Sequence, residues 1–328
     1  MKVVVIGSSN IDMVAQVNHL PAPGETVGDA SFMQSLGGKG ANQAVAAARL
    51  GGSVIFVTSL GNDMYADILK KNFEKEGITT DYIINNNQHP TGTALIFVAD
   101  SGENCIAVAP GANYSLSPES INHFSKVIDE TEIVVMQAEI PYNTIKSIAL
   151  LAQQKGKKIL FNPAPACLID AELMKAIDIL VVNEVEAAFV SGIKHTGDNL
   201  EEIAEALITA GAQNVVITLG SHGVYMKNAY TSGRLPSYKV NAIDTIAAGD
   251  TFCGALAVMC AQKEIDIEAL KFANAAAAIA VTRSGAQPSI PTLEEVNHFI
   301  LKNELPYRST SKFNEHENLL EPTIHSIR

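Results

Sequence analysis

The sequence predicts an α/β fold with three layers, in which helices cover both faces of a mostly parallel central sheet. Two observations support this prediction. Short apolar segments of strand length alternate with helical segments along most of the 328-residue chain, and hydrophobic residues make up 47% of it. Alternation of this kind produces parallel strands joined by helical crossovers, and continuous apolar strands indicate burial on both faces. A small β-sheet is predicted beside this domain.

The predicted strands begin at the N-terminus, where KVVVIG (2–7) is rich in β-branched residues and ends in glycine. A segment of this kind is typical of a buried parallel strand. The others are 53–61, 132–139, 157–165, 177–184 and 214–220.

The predicted helices lie between these strands. The first, 39–51, is rich in alanine and closes on Gly51, which is a common helix terminator. The others are 64–77, 143–156, 201–211 and the apolar segment 251–261. Because 251–261 is apolar on every side, we expect a buried helix there.

Two segments interrupt the alternation. Residues 13–36 are rich in turn residues, and residues 91–109 read as two strands around a Ser-Gly turn. Both are predicted to be antiparallel and to form a β lid over one edge of the main sheet. The polar segment 306–328 lacks periodicity and is predicted to be a loosely attached tail, which leaves 1–305 as one domain.

Composition excludes several classes of function. The formal net charge of −12 disfavours a nucleic-acid partner, because an acidic chain repels phosphate backbones. No apolar run reaches the roughly 18 residues that a membrane span requires. The four cysteines, Cys105, Cys167, Cys253 and Cys260, form no C-x-x-C pair and are expected to be reduced, which favours the cytoplasm.

Several common site motifs are missing from the sequence. It contains no G-x-x-x-x-G-K-[ST] loop and no G-x-S-x-G elbow, and the first strand is followed by GSSNID rather than G-x-G-x-x-G. A Rossmann dehydrogenase is therefore disfavoured. The eight histidines show no H-x-x-x-H spacing, which argues against a zinc site.

The stretch DTIAAGDTF (244–252) combines small residues with a carboxylate immediately before the apolar helix. Free backbone N–H groups at a helix N-terminus bind anions, and small residues let a phosphate approach. Asp250 is then placed to act as a general base, while the amides stabilise charge on a transferring phosphoryl group. The alternative is that Asp250 is only a helix cap or first-turn acid.

Two further stretches carry candidate ligand-binding residues. GGKGANQA (37–44) is either an ordinary glycine turn or a backbone approach to a polar ligand, with Lys39 and Asn42 as hydrogen-bond donors. GSSNID (7–12) places Asn10 and Asp12 just beyond the first strand, where open α/β sheets bind ligands. A carboxylate there suits a vicinal diol, and the alternative is a turn stabilised by its own side chains.

Taken together, GGKGANQA and DTIAAGDTF resemble the ribokinase (PfkB) family of sugar kinases. The segments NPAPA (162–166), NE (183–184), TLGSHG (218–223) and 275–289 fit the same pattern in the same order. The resemblance runs from residue 1 to about 305.

The resemblance implies ATP-dependent phosphorylation of D-ribose at O5. Asp250 would be the base that deprotonates the sugar, and the amides of Ala247, Ala248 and Gly249 would form the anion hole. The sugar site would comprise Asn10, Asp12, Gly38, Lys39, Asn42, Glu139 and Asp250. A related kinase acting on deoxyribose or a nucleoside is the nearest alternative, and a non-catalytic sugar or nucleotide sensor is a second one.

The resemblance also implies cofactors and a partner. Glu186 would organise Mg²⁺, and Asp244 would bind an activating monovalent cation, normally K⁺. The ATP site would comprise Asn183, Glu186, Thr218, Gly220, Ser221, Gly223, Gly249 and Asn274. The other cation ligands would be backbone carbonyls of Ile246, Ala280, Arg283 and Gly285, with Ser289. A homodimer through the β lids is expected.

Overall fold

The computed structural model describes residues 1–303, and its centre is a nine-stranded sheet. The thirteen strands are β1 (Lys2–Ile6), β2 (Asn10–Val17), β3 (Ser31–Gly37), β4 (Ser53–Gly61), β5 (Ile83–Asn86), β6 (Gly92–Ala99), β7 (Asn104–Ala109), β8 (Ile133–Gln137), β9 (Lys158–Asn162), β10 (Ile179–Asn183), β11 (Asn214–Thr218), β12 (Val224–Asn228) and β13 (Ser232–Leu235). The order in the large sheet is β13-β12-β11-β10-β9-β8-β1-β4-β5. All neighbours are parallel except β11–β12 and β12–β13.

Within residues 1–303, ten α-helices cover the large sheet. They are α1 (Lys39–Arg49), α2 (Met64–Lys75), α3 (Ile121–Asp129), α4 (Tyr142–Gln154), α5 (Ala171–Ala176), α6 (Glu184–Ser191), α7 (Leu200–Ala210), α8 (Ala248–Cys260), α9 (Ile267–Ala280) and α10 (Leu293–Lys302). None of these described helices is long and apolar enough to cross a bilayer.

Two hydrophobic cores lie on opposite faces of the sheet. Alternate residues of β1 divide between them, with Val3 and Val5 in one core and Val4 and Ile6 in the other. Helices α1, α2, α8, α9 and α10 contribute to the first core, and α3, α4, α5, α6 and α7 to the second. This division confirms the predicted three-layer α/β/α architecture, because strands buried on both faces need helices on both.

The small sheet has four strands in the order β3-β2-β6-β7. Its two hairpins, β2–β3 and β6–β7, are antiparallel as predicted, and a parallel pairing of β2 with β6 joins them. The sheet begins at Asn10, earlier than the predicted 13, so Asp12 is one of its residues. This placement puts a candidate ligand-binding residue on the small sheet rather than on a connecting loop.

The predicted strands and helices all form, with boundaries that differ by a few residues. Helix α8 begins at Ala248 instead of 251, so Asp250 belongs to its first turn. The strands β5, β12 and β13 were not predicted, because they are short and partly polar. The predicted tail at 306–328 lies outside the described residues.

Candidate functional site

Glycines bring the N-terminus of α1 against the ends of β1 and β2. A Cβ on Gly38 would lie 2.8 Å from the backbone nitrogen of Asn10, and one on Gly40 would lie 2.5 Å from that of Ser8. Gly38 also has a φ of 89°, which side chains rarely tolerate. The carbonyl of Ser8 accepts the N–H of Ala41 at 2.8 Å. This close approach sets α1 beside Asn10.

An acidic cluster surrounds Asp12 at this junction. The pKa of Asp12 is raised from 3.8 to about 6, mainly by burial and also by the negative charges of Glu139 and Asp250, while Lys39 lowers it. One oxygen of Glu139 accepts the backbone N–H of Lys39 at 3.0 Å and the hydroxyl of Ser8 at 2.5 Å. The structure therefore groups the predicted sugar residues Asp12, Lys39 and Glu139 around a single position.

Lys39 balances part of this negative charge. Burial lowers the pKa of its ammonium, but Asp250, Glu139 and Glu186 raise that pKa by more, so the net shift is upward. A positive charge enclosed by three carboxylates stays protonated at neutral pH. It can attract an anionic group to the site.

Asp250 lies in the first turn of α8 and is 7% exposed. It does not cap the helix, since the N-cap residue is Ala247, in the left-handed region with φ 58°. Its carboxylate instead faces α1. Oδ2 accepts from the side-chain nitrogen of Asn42 at 2.9 Å, and Oδ1 accepts from that of Gln43 at 3.1 Å.

The start of α8 offers free backbone N–H groups. The N–H of Ala248 donates to the carbonyl of Thr245 at 3.3 Å, and that of Thr251 donates to Ala247 at 2.8 Å. Among residues 1–303, the N–H groups of Gly249 and Asp250 have no acceptor. These two amides stand at the positive end of the helix dipole and can bind an anion.

A cavity of 550 Å³ opens on the other side of the α8 terminus. Ala248 and six residues predicted for the ATP site line it; the six are Thr218, Gly220, Ser221, Gly223, Gly249 and Asn274. Its remaining lining was not predicted and comprises Ser237, Tyr238, Lys239, Val240, Ala242, Thr245, Phe252, Ala277, Ala278 and Val281. Apolar walls with a few polar groups suit a planar aromatic base with a polar edge.

Asn183 and Glu186 form a capping box at the start of α6. The side-chain oxygen of Asn183 accepts the N–H of Glu186 at 2.8 Å, and a carboxylate oxygen of Glu186 accepts the N–H of Asn183 at 2.9 Å. Burial raises the pKa of Glu186, as does Asp250, while Lys39 lowers it. Neither residue lines the cavity, although Glu186 is near enough to interact electrostatically with Asp250.

Asp244 ties together the two segments that carry the predicted cation ligands. Its carboxylate accepts the N–H of Ile246 and the N–H of Gly285, each at 2.9 Å. The backbone N–H groups of Ile243 and Asp244 both donate to the carbonyl of Val281. Ala280 accepts from Arg283, and the Ser289 hydroxyl donates to Ala286. The predicted residues are thus in one region, beside the α8 terminus.

Four buried polar residues that support the site were not predicted from the sequence. Gln43, Gln137, Asn162 and Asn113 are all buried and all hydrogen-bonded to each other or to predicted site residues. Gln43 stands inside the GGKGANQA motif and Asn162 begins NPAPA, so a polar residue in an apolar setting was the available signal.

A buried carboxylate beside free helix amides, with a cavity at the ends of parallel strands, defines a phosphotransferase class of site. The chain belongs to the pfkB family of carbohydrate kinases, whose pattern it matches over residues 1–293. It is therefore a carbohydrate kinase.

Relatives of this chain cover nearly its whole length. It is 40% identical to the ribokinase of Haemophilus influenzae over 297 residues, and this match covers 90% of this chain and 97% of the relative. It is 36% identical to the deoxyribokinase of Salmonella typhi, over 93% of this chain and all of that one. The structure of Arabidopsis thaliana ribokinase complexed with ribose and ATP superposes with a TM-score of 0.85 at 29% identity, over 93% and 99% of the two chains.

Proposed function

We propose that this protein transfers the γ-phosphoryl group of ATP to O5 of D-ribose, with Asp250 as the general base. The observation that carries the proposal is the position of Asp250. It lies between the free amides of α8 and the acidic cluster around Asp12, while Ala248 and Gly249 in the same turn line the cavity. A sugar bound by Asp12, Lys39 and Asn42 would present a hydroxyl to Asp250.

Each part of this site has a defined task in phosphoryl transfer. The carboxylate of Asp250 would accept the proton of the sugar hydroxyl as its oxygen attacks. The amides of Gly249 and Asp250 would stabilise charge on the transferring group, together with the predicted amide of Ala247, whereas that of Ala248 already donates to Thr245. Lys39 is held protonated and would attract the phosphates. Positioning and charge stabilisation account for nearly all of the catalysis in such reactions.

Mg²⁺ would accompany ATP, with Glu186 organising its water shell. Within residues 1–303, no group of three or more His, Cys, Asp and Glu side chains is arranged to hold a metal. That fits Mg²⁺, because this ion keeps several waters and binds through one or two carboxylates and the phosphates of the substrate. The half-buried carboxyl of Glu186 supplies such an oxygen.

A monovalent cation, normally K⁺, would bind beside Asp244. Asp244 supplies a carboxylate between two loops. The predicted carbonyl donors at Ile246, Arg283 and Gly285 belong to these loops, and Ala280 ends α9 just before the second loop. Oxygen donors with a single carboxylate suit a large, weakly hydrated cation. A cation there would fix the loop that carries the anion hole, so turnover should depend on whether K⁺ is present.

D-Ribose is favoured over 2-deoxyribose by Asp12. A carboxylate can accept hydrogen bonds from two adjacent hydroxyls, and a site built for a hydroxyl rejects an analogue that lacks it. The deoxyribokinase relative supports deoxyribose as the alternative substrate, and a nucleoside remains a further alternative. A coupled ADP-release assay with ribose, deoxyribose, adenosine and fructose 6-phosphate, with and without K⁺, decides between them. Faster turnover of deoxyribose than of ribose would overturn the assignment.

The Asp250→Asn variant tests the catalytic role. We expect kcat to fall by about 10³-fold or more, while ribose binding measured by calorimetry stays within about threefold. Asp67→Asn, which changes an exposed acid in the first turn of α2, is the matched control. Undiminished turnover in Asp250→Asn would contradict the base. If the wild type binds ribose and ATP without turnover, the protein is a sensor.

We also propose a homodimer formed through the small sheets, which would act as lids. This sheet carries exposed apolar side chains on β3, β6 and β7, namely Phe32, Met33, Leu95, Phe97, Ile106 and Val108. Exposed apolar groups in such number indicate an interaction surface. Sedimentation of the wild type should give a dimer, and Phe97→Lys with Ile106→Lys should give a monomer. A monomeric wild type would contradict the proposal.

A cytoplasmic location agrees with the cysteines. All four are free thiols in the structure, and Cys253 and Cys260 are buried. Unpaired thiols are characteristic of a reducing compartment. Fractionation of cells that express the protein would test this location.

A further inference from the structure

We propose that Gln43 is a positioning residue that fixes the carboxylate of Asp250 for proton abstraction. This inference rests on the proposed role of Asp250 as the base. The side-chain nitrogen of Gln43 donates to Oδ1 of Asp250 at 3.1 Å, and Asn42 donates to Oδ2 at 2.9 Å. Asn42 is assigned to the sugar and can be shared with it, whereas Gln43 is fully buried.

A chain of amides fixes the direction in which Gln43 donates. It starts at the backbone carbonyl of Val181 in β10, which can only accept, and which accepts the side-chain nitrogen of Asn162 at 2.9 Å. Oδ1 of Asn162 must then face Gln43, whose side-chain nitrogen donates to it at 3.2 Å.

The other end of the amide of Gln43 is also held. Its Oε1 accepts from the side-chain nitrogen of Gln137 at 2.7 Å. Both N–H groups of Gln43 therefore point away from Gln137, one to Asn162 and one to Asp250. Were this amide rotated by 180°, its oxygen would face two acceptors, which is unfavourable in a buried setting. The chain of amides thus guarantees a donor for Oδ1.

The sheet itself holds this network. Gln137 ends β8 and Asn162 ends β9, and these residues are paired in register on neighbouring strands. A Cβ on Gly7, at the end of β1, would lie 2.0 Å from Oε1 of Gln137, so the glutamine packs directly against that strand end. The carboxylate is therefore held from rigid strands, although Asp250 itself belongs to a helix terminus.

Packing alone does not call for a glutamine at position 43. Residues 40–47 of α1 are all buried, and most of them are alanine or valine. A buried amide costs free energy unless every polar group is satisfied, and an apolar side chain would avoid that cost. The amide is explained by the carboxylate that it orients.

The principal test is Gln43→Met, which keeps the length of the side chain and removes its hydrogen bonds. We expect kcat to fall by about 10-fold or more, with ribose Kd from calorimetry within about threefold, because a freed carboxylate loses its attack geometry. In an Asp250→Asn background, Gln43→Met should lower the residual turnover no further. A kcat within about threefold of wild type, or additive losses in the double variant, would overturn the inference.

Asn214→Leu is the matched structural control. Asn214 is a buried amide at the amino end of β11, away from the site, and it bonds to the carbonyl of Asp178 and to Asn228. The Asn214→Leu variant should lose stability, as Gln43→Met does, but its kcat should equal that of the wild type. An equal kcat loss in both variants would make the effect of Gln43 purely structural and overturn the inference.

A second variant covers the case in which Gln43→Met does not fold. Gln137→Met leaves Gln43 in place but removes the donor that orients it, so kcat should fall by a smaller factor with ribose Kd unchanged. Unchanged kcat in folded Gln137→Met would then overturn the inference. The kcat of Asp250→Asn is measured in the same assay. If Asp250→Asn retains turnover, the proposed base is wrong. If Asp250→Asn is inactive but Gln43→Met keeps the kcat of the wild type, only the role of Gln43 is overturned.

Discussion

The side-chain nitrogen of Asn113 donates a hydrogen bond to Oδ1 of Asn10 at 2.8 Å. Asn113 is itself held on both sides, since its Oδ1 accepts the N–H of Ser9 at 2.9 Å and its nitrogen also reaches the carbonyl of Ser9 at 3.2 Å. The oxygen of Asn10 is thereby occupied, and its N–H groups remain for a ligand. Asn10 would then donate to an oxygen of the proposed sugar substrate.

The Asn113→Asp variant should weaken sugar binding. A carboxylate cannot donate to Asn10 and repels its oxygen, so the amide of Asn10 would turn and present the wrong group. We expect the sugar KM to rise by about 10-fold or more with a smaller change in kcat, as measured by steady-state kinetics. Asn199→Asp is the control, because Asn199 likewise bridges a backbone N–H and a carbonyl, in the 194–199 loop. An unchanged KM would contradict this role for Asn113.

The raised pKa of Asp12 predicts opposite effects on binding and on stability. With a pKa of about 6, Asp12 loses its charge below that pH and accepts fewer sugar hydroxyls, so sugar affinity should fall as the pH drops from 7 to 5. The folded state binds this proton more tightly than the unfolded state does, whose pKa is 3.8. The contribution of Asp12 to the free energy of unfolding therefore falls as the pH rises from about 4 to about 6.

Asp12→Asn removes both effects. In urea unfolding at pH 7, the free energy of unfolding of the variant should exceed that of the wild type by on the order of 1–3 kcal/mol. The difference should vanish near pH 4. Its sugar binding should be largely lost. Asp67→Asn, an exposed carboxyl, should show neither effect. A variant that is less stable than the wild type at pH 7 would contradict the raised pKa.

Local sequence patterns predicted the layers, and together with the family resemblance they supplied the candidate site residues. Glycine spacing in GGKGANQA and the small residues before Asp250 have local consequences, namely a close approach and free amides, so they can be read without a structure. The strand segments were recognisable because each is apolar on both faces. The parallel pairing of β2 with β6 was not predicted, because it joins residues more than 80 positions apart.

The amide network could not be predicted for the same reason. Gln43, Gln137 and Asn162 lie on one helix and two strands, and they meet only because β8 and β9 are neighbours. Strand order depends on which helices cover which face, and no short pattern records it. The N-x-x-E spacing of Asn183 and Glu186 is a local signal for a capping box, which the structure contains. The family resemblance had assigned both residues to the ATP site.

The contacts of Arg49 indicate a coupling between α1 and the proposed cation site. Its guanidinium forms two hydrogen bonds with Glu76, at 2.8 and 2.6 Å, and Nη1 donates to the carbonyls of Gln287 and Ile290 at 2.8 and 2.7 Å. These carbonyls flank Ser289, a predicted cation ligand. The arginine therefore holds the segment that would carry part of the cation shell.

Arg49→Met should raise the K⁺ concentration needed for half-maximal activity and lower stability by about 2–4 kcal/mol, because Glu76 is left half-buried without its partner. Activity titrated with K⁺ and urea unfolding measure the two effects. Lys146→Met removes surface ion pairs with Asp170 and Glu172, and it should cost much less stability than Arg49→Met, with no change in the K⁺ response. If K⁺ dependence is the same in Arg49→Met as in the wild type, the coupling does not exist.

Glu186 allows its two roles to be separated by substitution. Glu186→Gln keeps an oxygen that can accept the N–H of Asn183, so the capping box should survive and stability should change by less than about 0.5 kcal/mol. The charge, however, is lost, and with it the oxygen that would order the waters of Mg²⁺. We expect the Mg²⁺ concentration for half-maximal turnover to rise by about 10-fold.

Glu186→Ala removes both the cap and the charge. It should match Glu186→Gln in its Mg²⁺ requirement and in addition lose about 1 kcal/mol of stability, because the N–H of Asn183 loses its acceptor. Turnover titrated with Mg²⁺ at saturating ATP, and urea unfolding without nucleotide, give the two readouts independently. An unchanged Mg²⁺ requirement in Glu186→Gln would leave this residue with the capping role alone, since only the capping contact would then have a measurable consequence.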